Sequence, residues 1–275
     1  MGRMFQGLFE ADGLRVLIAG RRTELTYEAL VAQSDVVIVT VPIRSTVETI
    51  RRIAPVFGPV QLFSDFTSIK QDPVAEMMAS KASVIGCHPI FGPMADPAGQ
   101  NVVLCPERPG PFLNWYRNWF EAHGMNVRLM SPAAHDDAMA VIQGLTHFIN
   151  IAFAGTMQSR QVPLEELLAI CSPVYRVFFS VMCRILSGDP ALYGEIQVVN
   201  RGSRAVVESF LENGKELLEL VGREDMEGFQ QRFKEAAAYL GEYRQVAREE
   251  SDFLVEQLKR YADAKLGAPP KSAKK

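Results

Sequence analysis

The sequence predicts an α/β doubly wound domain followed by an all-helical domain, and three observations support that prediction. In the first half, short β-rich runs alternate with helical segments, as in a parallel sheet covered by helices. The run Val36–Val41 is apolar on both faces, which is typical of a central strand. After residue 130 the strand patterns stop, and helical patterns continue to about residue 264. We therefore expect one domain over 1–130, a second over 131–265 and a disordered tail over 266–275.

The elements follow one another in a regular order. Six runs have strand patterns: Leu14–Ala19, Asp35–Val41, Val60–Ser64, Ser83–Cys87, Val102–Cys105 and Asn126–Leu129. Four stretches between them have helical patterns: Glu24–Gln33, Ser45–Phe57, Asp72–Ser80 and Pro111–His123. In the second half a helix-start signal, an N-cap residue followed by proline, occurs at Ser131-Pro132, Ser172-Pro173 and Asp189-Pro190. This order predicts a βα sheet domain that ends before the helices of the second domain begin.

The composition limits the classes of function. The chain has 275 residues, 48% hydrophobic content and a net charge of −3, which argues against a generic nucleic-acid binder. Its four cysteines are scattered with no C-x-x-C pair, which indicates reduced thiols and neither a disulfide framework nor a metal site. The sequence shows no signal-peptide pattern and no run of about 18 apolar residues. We therefore expect a cytoplasmic protein that binds no membrane.

The N-terminus carries part of a phosphate-binding loop. Such a loop, G-x-G-x-x-G, normally follows the first strand of a dinucleotide-binding sheet and lets a pyrophosphate approach a helix start. Gly2 fits the last glycine of that motif, and the first strand and the earlier glycines are absent from this sequence. We therefore expect a dinucleotide-binding sheet that begins at its second strand.

The end of the predicted second strand, Leu14–Ala19, bears on the choice of cofactor. NAD-binding folds usually place an acid there to bind the ribose 2′-hydroxyl, whereas arginine accommodates a 2′-phosphate. This sequence instead has Gly20-Arg21-Arg22-Thr23, with no acid. The alternative is a pair of solvated surface arginines. We predict that Arg21, Arg22 and Thr23 favour NADP over NAD.

His88 is the strongest candidate for a catalytic side chain. It follows the apolar strand that starts at Ser83 and opens the loop H-P-I-F-G-P, whose two prolines would restrict the imidazole. Ligands of open α/β sheets bind at the carboxyl ends of strands, where a fixed imidazole can take a proton from a hydroxyl. By contrast, His123 is expected at the surface end of a helix. His135, beside two acids in the first turns of another helix, is expected to be exposed.

The preceding strand ends in the segment D-F-T-S-I-K at 65–70. Ser68 and Lys70 are expected at the same carboxyl edge, where a hydroxyl and an ammonium would orient His88 and contact an anionic substrate. The alternative for Ser68 is a helix cap, and the alternative for Lys70 is a solvated charge.

The helical half contributes two further candidates. His147 lies in an apolar helix, where a lone histidine is usually a core residue. Arg184 lies in the apolar stretch V-M-C-R-I-L, and Arg176 lies eight residues earlier on nearly the same helical face. A buried arginine needs a partner and can grip a carboxylate through two hydrogen bonds. A structural ion pair is the alternative for both arginines.

Taken together, the segments resemble those of the prephenate dehydrogenases, in particular the dehydrogenase part of the bifunctional T-protein. The matching segments are D-V-V-I-V-T-V-P-I at 35–43, T-S-I-K at 67–70, H-P-I-F-G-P at 88–93, I-Q-G-L-T-H-F at 142–148, C-S-P-V-Y-R at 171–176 and C-R-I-L-S-G-D-P-A-L-Y at 183–193. The resemblance covers nearly the whole chain to about residue 260. It implies a Rossmann-like domain followed by a helical dimerisation domain.

The resemblance also implies an activity, the oxidative decarboxylation of prephenate with hydride transfer to NAD(P), and a homodimer joined through the helical domain. His88 matches the catalytic histidine and Ser68 the serine beside it. Lys70, His147 and Arg184 match substrate-binding positions. In the segment D-V-V-I-V-T-V-P-I, Val41 and Pro42 match cofactor contacts.

Three other interpretations remain open at this point. Arogenate dehydrogenases catalyse the same reaction on the amino acid that corresponds to prephenate. A 3-hydroxyacid or imine reductase joins similar domains but does not need the H-P-I-F-G-P loop. A helical dimer that has lost cofactor binding together with its first strand would have no activity, and a cofactor-binding assay separates it from the enzymes.

Overall fold

The computed structural model describes the backbone of residues 1–266 and the side chains of residues 1–261. Its strands are β1 (Val36–Val39), β2 (Leu62–Asp65), β3 (Ser83–Pro89), β4 (Asn101–Arg108) and β5 (Asn126–Leu129). Its α-helices are α1 (Gly2–Ala11), α2 (Tyr27–Ala32), α3 (Ile43–Ile53), α4 (Gln71–Met77), α5 (Phe112–Ala122), α6 (Pro132–Met139), α7 (Thr146–Ser159), α8 (Leu164–Ile170), α9 (Pro173–Leu186), α10 (Pro190–Val199), α11 (Arg201–Gly222), α12 (Met226–Leu240) and α13 (Tyr243–Leu266). The predicted tail lies outside the described residues, apart from Leu266, which ends α13.

The five strands form one open, mixed sheet in the order β1-β2-β3-β4-β5. The pairs β1–β2, β2–β3 and β4–β5 are parallel, whereas β3 and β4 are antiparallel. The carboxyl ends of β1, β2 and β3 therefore lie at one edge of the sheet, and β4 begins at that edge. This edge is where ligands of open α/β sheets bind.

Helices cover both faces of the sheet, so the predicted doubly wound fold is confirmed. Neighbouring residues of one strand face opposite cores, since successive side chains alternate across a sheet. In β2, Phe63 packs in the core with α2, α3 and α4, whereas Leu62 packs with α1 and α5. In β3, Val84 packs in the core with α2, α3 and α4, and Ile85 packs in the core with α1 and α5. Burial on both faces explains why these strands are apolar runs with no polar alternation.

The predicted strand Leu14–Ala19 is wrong, because these residues are not paired in the sheet. The segment lines a cavity of about 760 Å³ together with Asp35, the following β1 residues Val36–Ile38 and one face of α1. A strand needs a neighbour to bond its backbone N–H and C=O groups, and among the described residues no strand lies beside this segment. The segment therefore has no partner in the sheet.

The chain divides into two compact units at places other than the predicted boundary near residue 130. The first unit comprises Met1–Thr146 and Pro190–Val206, so α6 and α10 belong with the sheet. Gln197 of α10 donates a 2.7 Å hydrogen bond to the carbonyl of Gly144, and Asn200 donates a 2.9 Å bond to the carbonyl of Asp136. These buried polar contacts fix α10 in the first unit.

The second unit comprises residues 147–189 and the chain from Val207 onward, and all its elements are helices. Its α9 packs on α13. Between α6 and α7 the helix widens into a π-helix over Ala140–Leu145. The continuous run Pro132–Ser159 meets the length and composition of a membrane-spanning helix, although its first part is buried against the sheet. Length and composition of this kind are also found in core helices.

Candidate active site

The candidate site lies at the carboxyl edge of the sheet, where β2 and β3 end side by side. Asp65, the last residue of β2, is in register with Gly86, two residues before His88. His88 is itself paired with Val103 of β4, and its strand β3 lies between β2 and β4 in the sheet. Its side chain is 3% exposed. The sheet therefore fixes the position of His88, and the loop that follows contributes little to that position.

A buried ion pair lies directly beneath His88. The Lys70 ammonium is paired with the Asp65 carboxylate, and both side chains are fully buried. The ammonium also donates a 2.9 Å hydrogen bond to the carbonyl of Cys87 and lies 3.4 Å from the hydroxyl of Thr67. A Cβ at Gly86 would lie 2.6 Å from Val74 Cγ2 and 3.0 Å from Lys70 Cδ, so the glycine leaves room for both side chains. The pair ties the end of β2 to the residue before His88.

The alternative of a solvated charge is wrong for Lys70, because its side chain is fully buried. Its pairing with Asp65 directs the charge into the domain, and contact of Lys70 with a substrate stays a prediction. The physical reason is the cost of burying an ammonium, which the adjacent carboxylate offsets.

Three buried side chains form a hydrogen-bonded chain that ends on His88. His88 Nδ1 lies 2.9 Å from His135 Nε2, and His135 Nδ1 lies 2.7 Å from Asp136 Oδ1. The Asp136 oxygens also accept the backbone N–H groups of Lys70 and Gln71, at 2.7 and 2.9 Å. Asp136 thus caps the start of α4 and holds His135 at the same time.

The predicted exposure of His135 is wrong, since its side chain is fully buried. One face of α6 packs against β4 and α4, and His135, Asp136, Met139 and Ala140 are all buried there. Met139 and Ala140, the apolar residues one turn later, could have indicated this burial in the sequence, because residues four apart share a helix face. The motif H-D-D alone resembles an exposed helix start.

The environment of His88 suits a group that takes up a proton. Burial lowers the pKa of the His88 imidazole well below its ordinary value, and its electrostatic interactions with the neighbouring His135 and with the Lys70 ammonium lower it further. The imidazole is therefore neutral at physiological pH. A neutral imidazole keeps one nitrogen free to accept a proton, which a general base requires.

Ser68 is half-buried on the segment between β2 and α4, on the same edge as His88. Within the part of the chain that the structure describes, the hydrogen-bond partner of His88 is His135 and no bond joins it to Ser68. The nearby hydroxyl that is engaged is that of Thr67, which donates to Asp65. Ser68 remains a candidate for contact with a substrate.

The residues expected to bind a dinucleotide lie around the start of α1 and the end of β1. No side chain caps the start of α1, so its first N–H groups are available to an anion. A Cβ at Gly2 would lie 2.7 Å from Thr40 Oγ1, so glycine allows α1 to approach β1 closely. Val41 packs against the core beside β1, and Pro42 is the N-cap of α3. The N–H groups at the start of α1 are the donors that fit a pyrophosphate.

The arginines after the unpaired segment are free to meet a further phosphate. Arg21 and Arg22 are both exposed in the turn that follows Ala19. Thr23 has a different role, because its hydroxyl accepts the Gly20 N–H at 2.8 Å and bonds back to the carbonyl of Gly20 or Leu25. The hydroxyl closes the turn and presents the two guanidinium groups.

His147 and Arg184 belong to the second unit, apart from the unit that carries His88. His147 is half-buried near the start of α7, and burial lowers the pKa of its imidazole. Arg184 lies in the last turn of α9 and is exposed, as is Arg176 on the same helix. The expectation of a buried arginine on this helix is therefore wrong for the single chain, and both guanidinium groups are accessible to a ligand.

Comparison with known proteins assigns both halves of the chain to one family. Residues 17–129 match the nucleotide-binding domain of prephenate dehydrogenase, and residues 131–235 match its dimerisation domain. The T-protein of Haemophilus influenzae is 32% identical over 259 residues, which cover 94% of this chain and 69% of that protein. The chain belongs to the prephenate dehydrogenase family.

Two further relatives place this family member among related activities. A Methanocaldococcus jannaschii protein named "Probable arogenate/prephenate dehydrogenase" is 32% identical over 262 residues, which cover 88% of this chain but only 59% of that protein. The crystal structure of Aquifex aeolicus prephenate dehydrogenase with hydroxyphenyl propionate and NAD⁺ has a TM-score of 0.60 at 24% identity, over 78% of this chain and 79% of that one. The structural likeness supports the fold, and the sequence matches support the family.

Proposed function

We propose that the protein catalyses the oxidative decarboxylation of prephenate to 4-hydroxyphenylpyruvate, with NADP as the preferred hydride acceptor. The observation that carries this proposal is His88, a neutral, buried imidazole held at the carboxyl edge of a sheet in a prephenate dehydrogenase family member. A nicotinamide dinucleotide, when bound, supplies the acceptor for the hydride. The chain itself supplies orientation and proton transfer.

In this proposal His88 acts first as a base and then as an acid. The O–H bond of the substrate breaks and its proton passes to His88 as the carbinol carbon loses a hydride. The bond to the ring carboxylate then breaks, carbon dioxide leaves, and the electron pair of that bond makes the ring aromatic. His88 returns the proton to the phenolate oxygen. Arg184, His147 and Ser68 are proposed to bind the substrate, and Arg184 to grip a carboxylate.

Incubation of the protein with prephenate and NADP tests this function directly. Reduced NADP, carbon dioxide and 4-hydroxyphenylpyruvate should form in equal amounts. If the protein binds the dinucleotide but produces none of these, the proposed reaction is wrong. Failure to bind either dinucleotide would favour the alternative of a helical dimer without catalysis.

The choice of NADP rests on the two exposed arginines and on the absence of an acid in the turn Gly20–Thr23. Arg21→Ala should weaken NADP binding roughly tenfold, as expected for loss of one charge-assisted hydrogen bond in an exposed position, and leave NAD binding nearly unchanged. Isothermal titration with both cofactors measures this. Arg15→Ala is the matched control, because Arg15 bonds the carbonyl of Gln33 at the other end of the same segment. Equal affinity of the unmutated protein for the two cofactors would rule the preference out.

Prephenate is proposed over arogenate because the carboxylates near the site already have partners. An ammonium such as that of arogenate needs a carboxylate, and a site that leaves it unpaired rejects it. Asp65 is paired with Lys70, and Asp136 accepts N–H groups. Glu195 of α10 is paired with Arg44 at 3.0 Å. On α9, the position one turn before Arg184 is Val181, which is exposed and apolar.

We expect kcat/KM to be about 5- to 150-fold higher for prephenate than for arogenate, since an unpaired polar group typically costs about 1–3 kcal/mol. Parallel steady-state assays with the two substrates measure this ratio. Val181→Asp should shift the ratio toward arogenate, whereas Ser180→Asp, at the exposed neighbouring position on a different side of α9, should not. A clear advantage for arogenate in the unmutated protein would overturn the preference and leave the reaction type intact.

The proposed assembly is a homodimer joined through the helical unit. That unit exposes large apolar side chains on several helices, including Ile151, Ile170, Val174, Phe233 and Phe253. Exposed apolar surface of this extent usually marks an interface. The proposed compartment is the cytoplasm, in keeping with the four free cysteines.

A further inference from the structure

We propose that His135 and Asp136 are positioning residues that hold His88 with its proton on Nδ1, so that Nε2 is the basic nitrogen offered to the substrate. The proposal rests on the function proposed above, in which His88 is the base. It adds a hydrogen-bonded chain that runs from the reacting imidazole of His88 through His135 to the carboxylate of Asp136, which caps the start of α4. Both residues act through His88 and are not proposed to touch the substrate.

The direction of each hydrogen bond follows from the groups at the end of the chain. Both oxygens of Asp136 accept backbone N–H groups at 2.7 and 2.9 Å, as an ionised carboxylate does. A carboxylate only accepts, so His135 Nδ1 must donate to Oδ1. A neutral His135 then has its lone pair on Nε2 and accepts from His88 Nδ1. The lone pair of His88 is left on Nε2.

Apart from Asp136, the ionisable groups beside the two rings carry no net charge. The Lys70 ammonium and the Asp65 carboxylate balance each other beneath His88. Burial raises the pKa of the Cys87 thiol well above its ordinary value, and burial raises that of Cys105 to about 12, so both thiols are neutral. The remaining charge is that of Asp136.

That negative charge becomes useful when His88 takes the substrate proton. A buried imidazolium is costly unless it is paired, and His88 has no carboxylate of its own. The Nδ1–H of His88 already donates to His135, whose own N–H donates to Asp136, so the new positive charge is stabilised through two hydrogen bonds. This arrangement stabilises the protonated state formed during the reaction.

The tautomer of His88 can be read without any substrate. Nitrogen-15 NMR of histidine-labelled protein distinguishes the two ring nitrogens, and the chain has only four histidines, so His88→Asn assigns the signal. We expect the proton on Nδ1 at neutral pH. A proton on Nε2 would overturn the proposal. Because this measurement needs no turnover, an absence of prephenate activity would refute the proposed function but leave the tautomer result standing.

Kinetics of matched variants test whether the chain matters to the reaction. In Asp136→Asn the amide can donate to His135, which reverses both hydrogen bonds and places the His88 proton on Nε2. We expect kcat to fall by about 10²-fold or more, KM to change little, and the NMR signal to switch nitrogen. Asp137→Asn is the control, because Asp137 is the exposed neighbour of Asp136. Equal losses of kcat in the two variants, or a lost kcat with an unchanged tautomer, would overturn the proposal.

A second pair of variants separates positioning from packing. His135→Gln keeps an acceptor oxygen for His88, whereas His135→Leu fills the space without one. We expect kcat of His135→Gln to stay within about tenfold of the unmutated protein, and that of His135→Leu to fall about 10–100-fold, as when a partner that orients an imidazole is removed. Equal kcat values for the two variants would contradict a positioning role.

Discussion

His88→Asn should lower kcat by about 10²–10⁴-fold, the usual contribution of a positioned base or acid. Asparagine is smaller than histidine and hydrogen-bonds, but it cannot take up a proton at neutral pH. The effect should appear in kcat and not in the dissociation constant of the cofactor, because the arginines and the start of α1 that we propose for the cofactor do not include His88. Transient kinetics with a fluorescence titration of NADP measures both quantities.

The pH profile of the unmutated enzyme gives an independent test of the same residue. Burial lowers the pKa of His88, so the imidazole stays unprotonated to pH values below the ordinary value of about 6.5. A base works only when unprotonated, and activity should therefore be retained at neutral pH and lost as pH falls through that lowered pKa. His88→Asn should abolish this acidic limb, whereas His123→Asn, on the surface end of α5, should keep it. Full turnover in His88→Asn would show that the base lies elsewhere.

The sequence was sufficient to predict the fold class, because apolar runs at strand spacing alternate with helical patterns. Val36–Val39 and Leu62–Asp65 lie where those patterns place them. The segment Leu14–Ala19 shows the limit of this reasoning. Its residues favour a strand, but a strand exists only with a hydrogen-bonded neighbour, and local composition does not report whether that neighbour is present. The antiparallel direction of β4 was not visible for the same reason.

The candidate site was predictable where one segment of chain carries the whole signal. The loop after β3 points to His88 by its prolines and by its place at the end of a strand. The side chains that surround His88 come from distant parts of the sequence, and their partners are set by packing. Asp65 ends β2 and Lys70 precedes α4, and the two meet as a buried pair beside Gly86, whose missing Cβ leaves room for the lysine stem. His135 is buried because its face of α6 packs against β4 and α4.

Lys70→Met should destabilise the protein by about 3–5 kcal/mol, because it leaves the Asp65 carboxylate buried without its ammonium partner. Both side chains are fully buried in the structure, so water cannot replace the lost partner. Thr67 still donates to Asp65 through its backbone N–H at 3.0 Å and through its hydroxyl. These bonds offset only part of the cost of a buried charge.

The thermal midpoint of the first unit should fall by roughly 6–20 °C in Lys70→Met, at about 2–4 °C for each kcal/mol in a domain of this size. The double variant Asp65→Asn/Lys70→Met removes both charges and should recover most of that loss, since replacing a whole buried pair costs far less than breaking it. The loss should also shrink in acid, because a protonated carboxyl is cheaper to bury than a carboxylate. Calorimetry of the unmutated protein and the three variants, including Asp65→Asn alone, gives the complete cycle.

Lys70 also donates to the carbonyl of Cys87, so kcat should remain low in the double variant even after its stability returns. A melting temperature within 1–2 °C of the unmutated protein for Lys70→Met, where at least ~2 °C per kcal/mol is expected, would show that the pair contributes little to the fold.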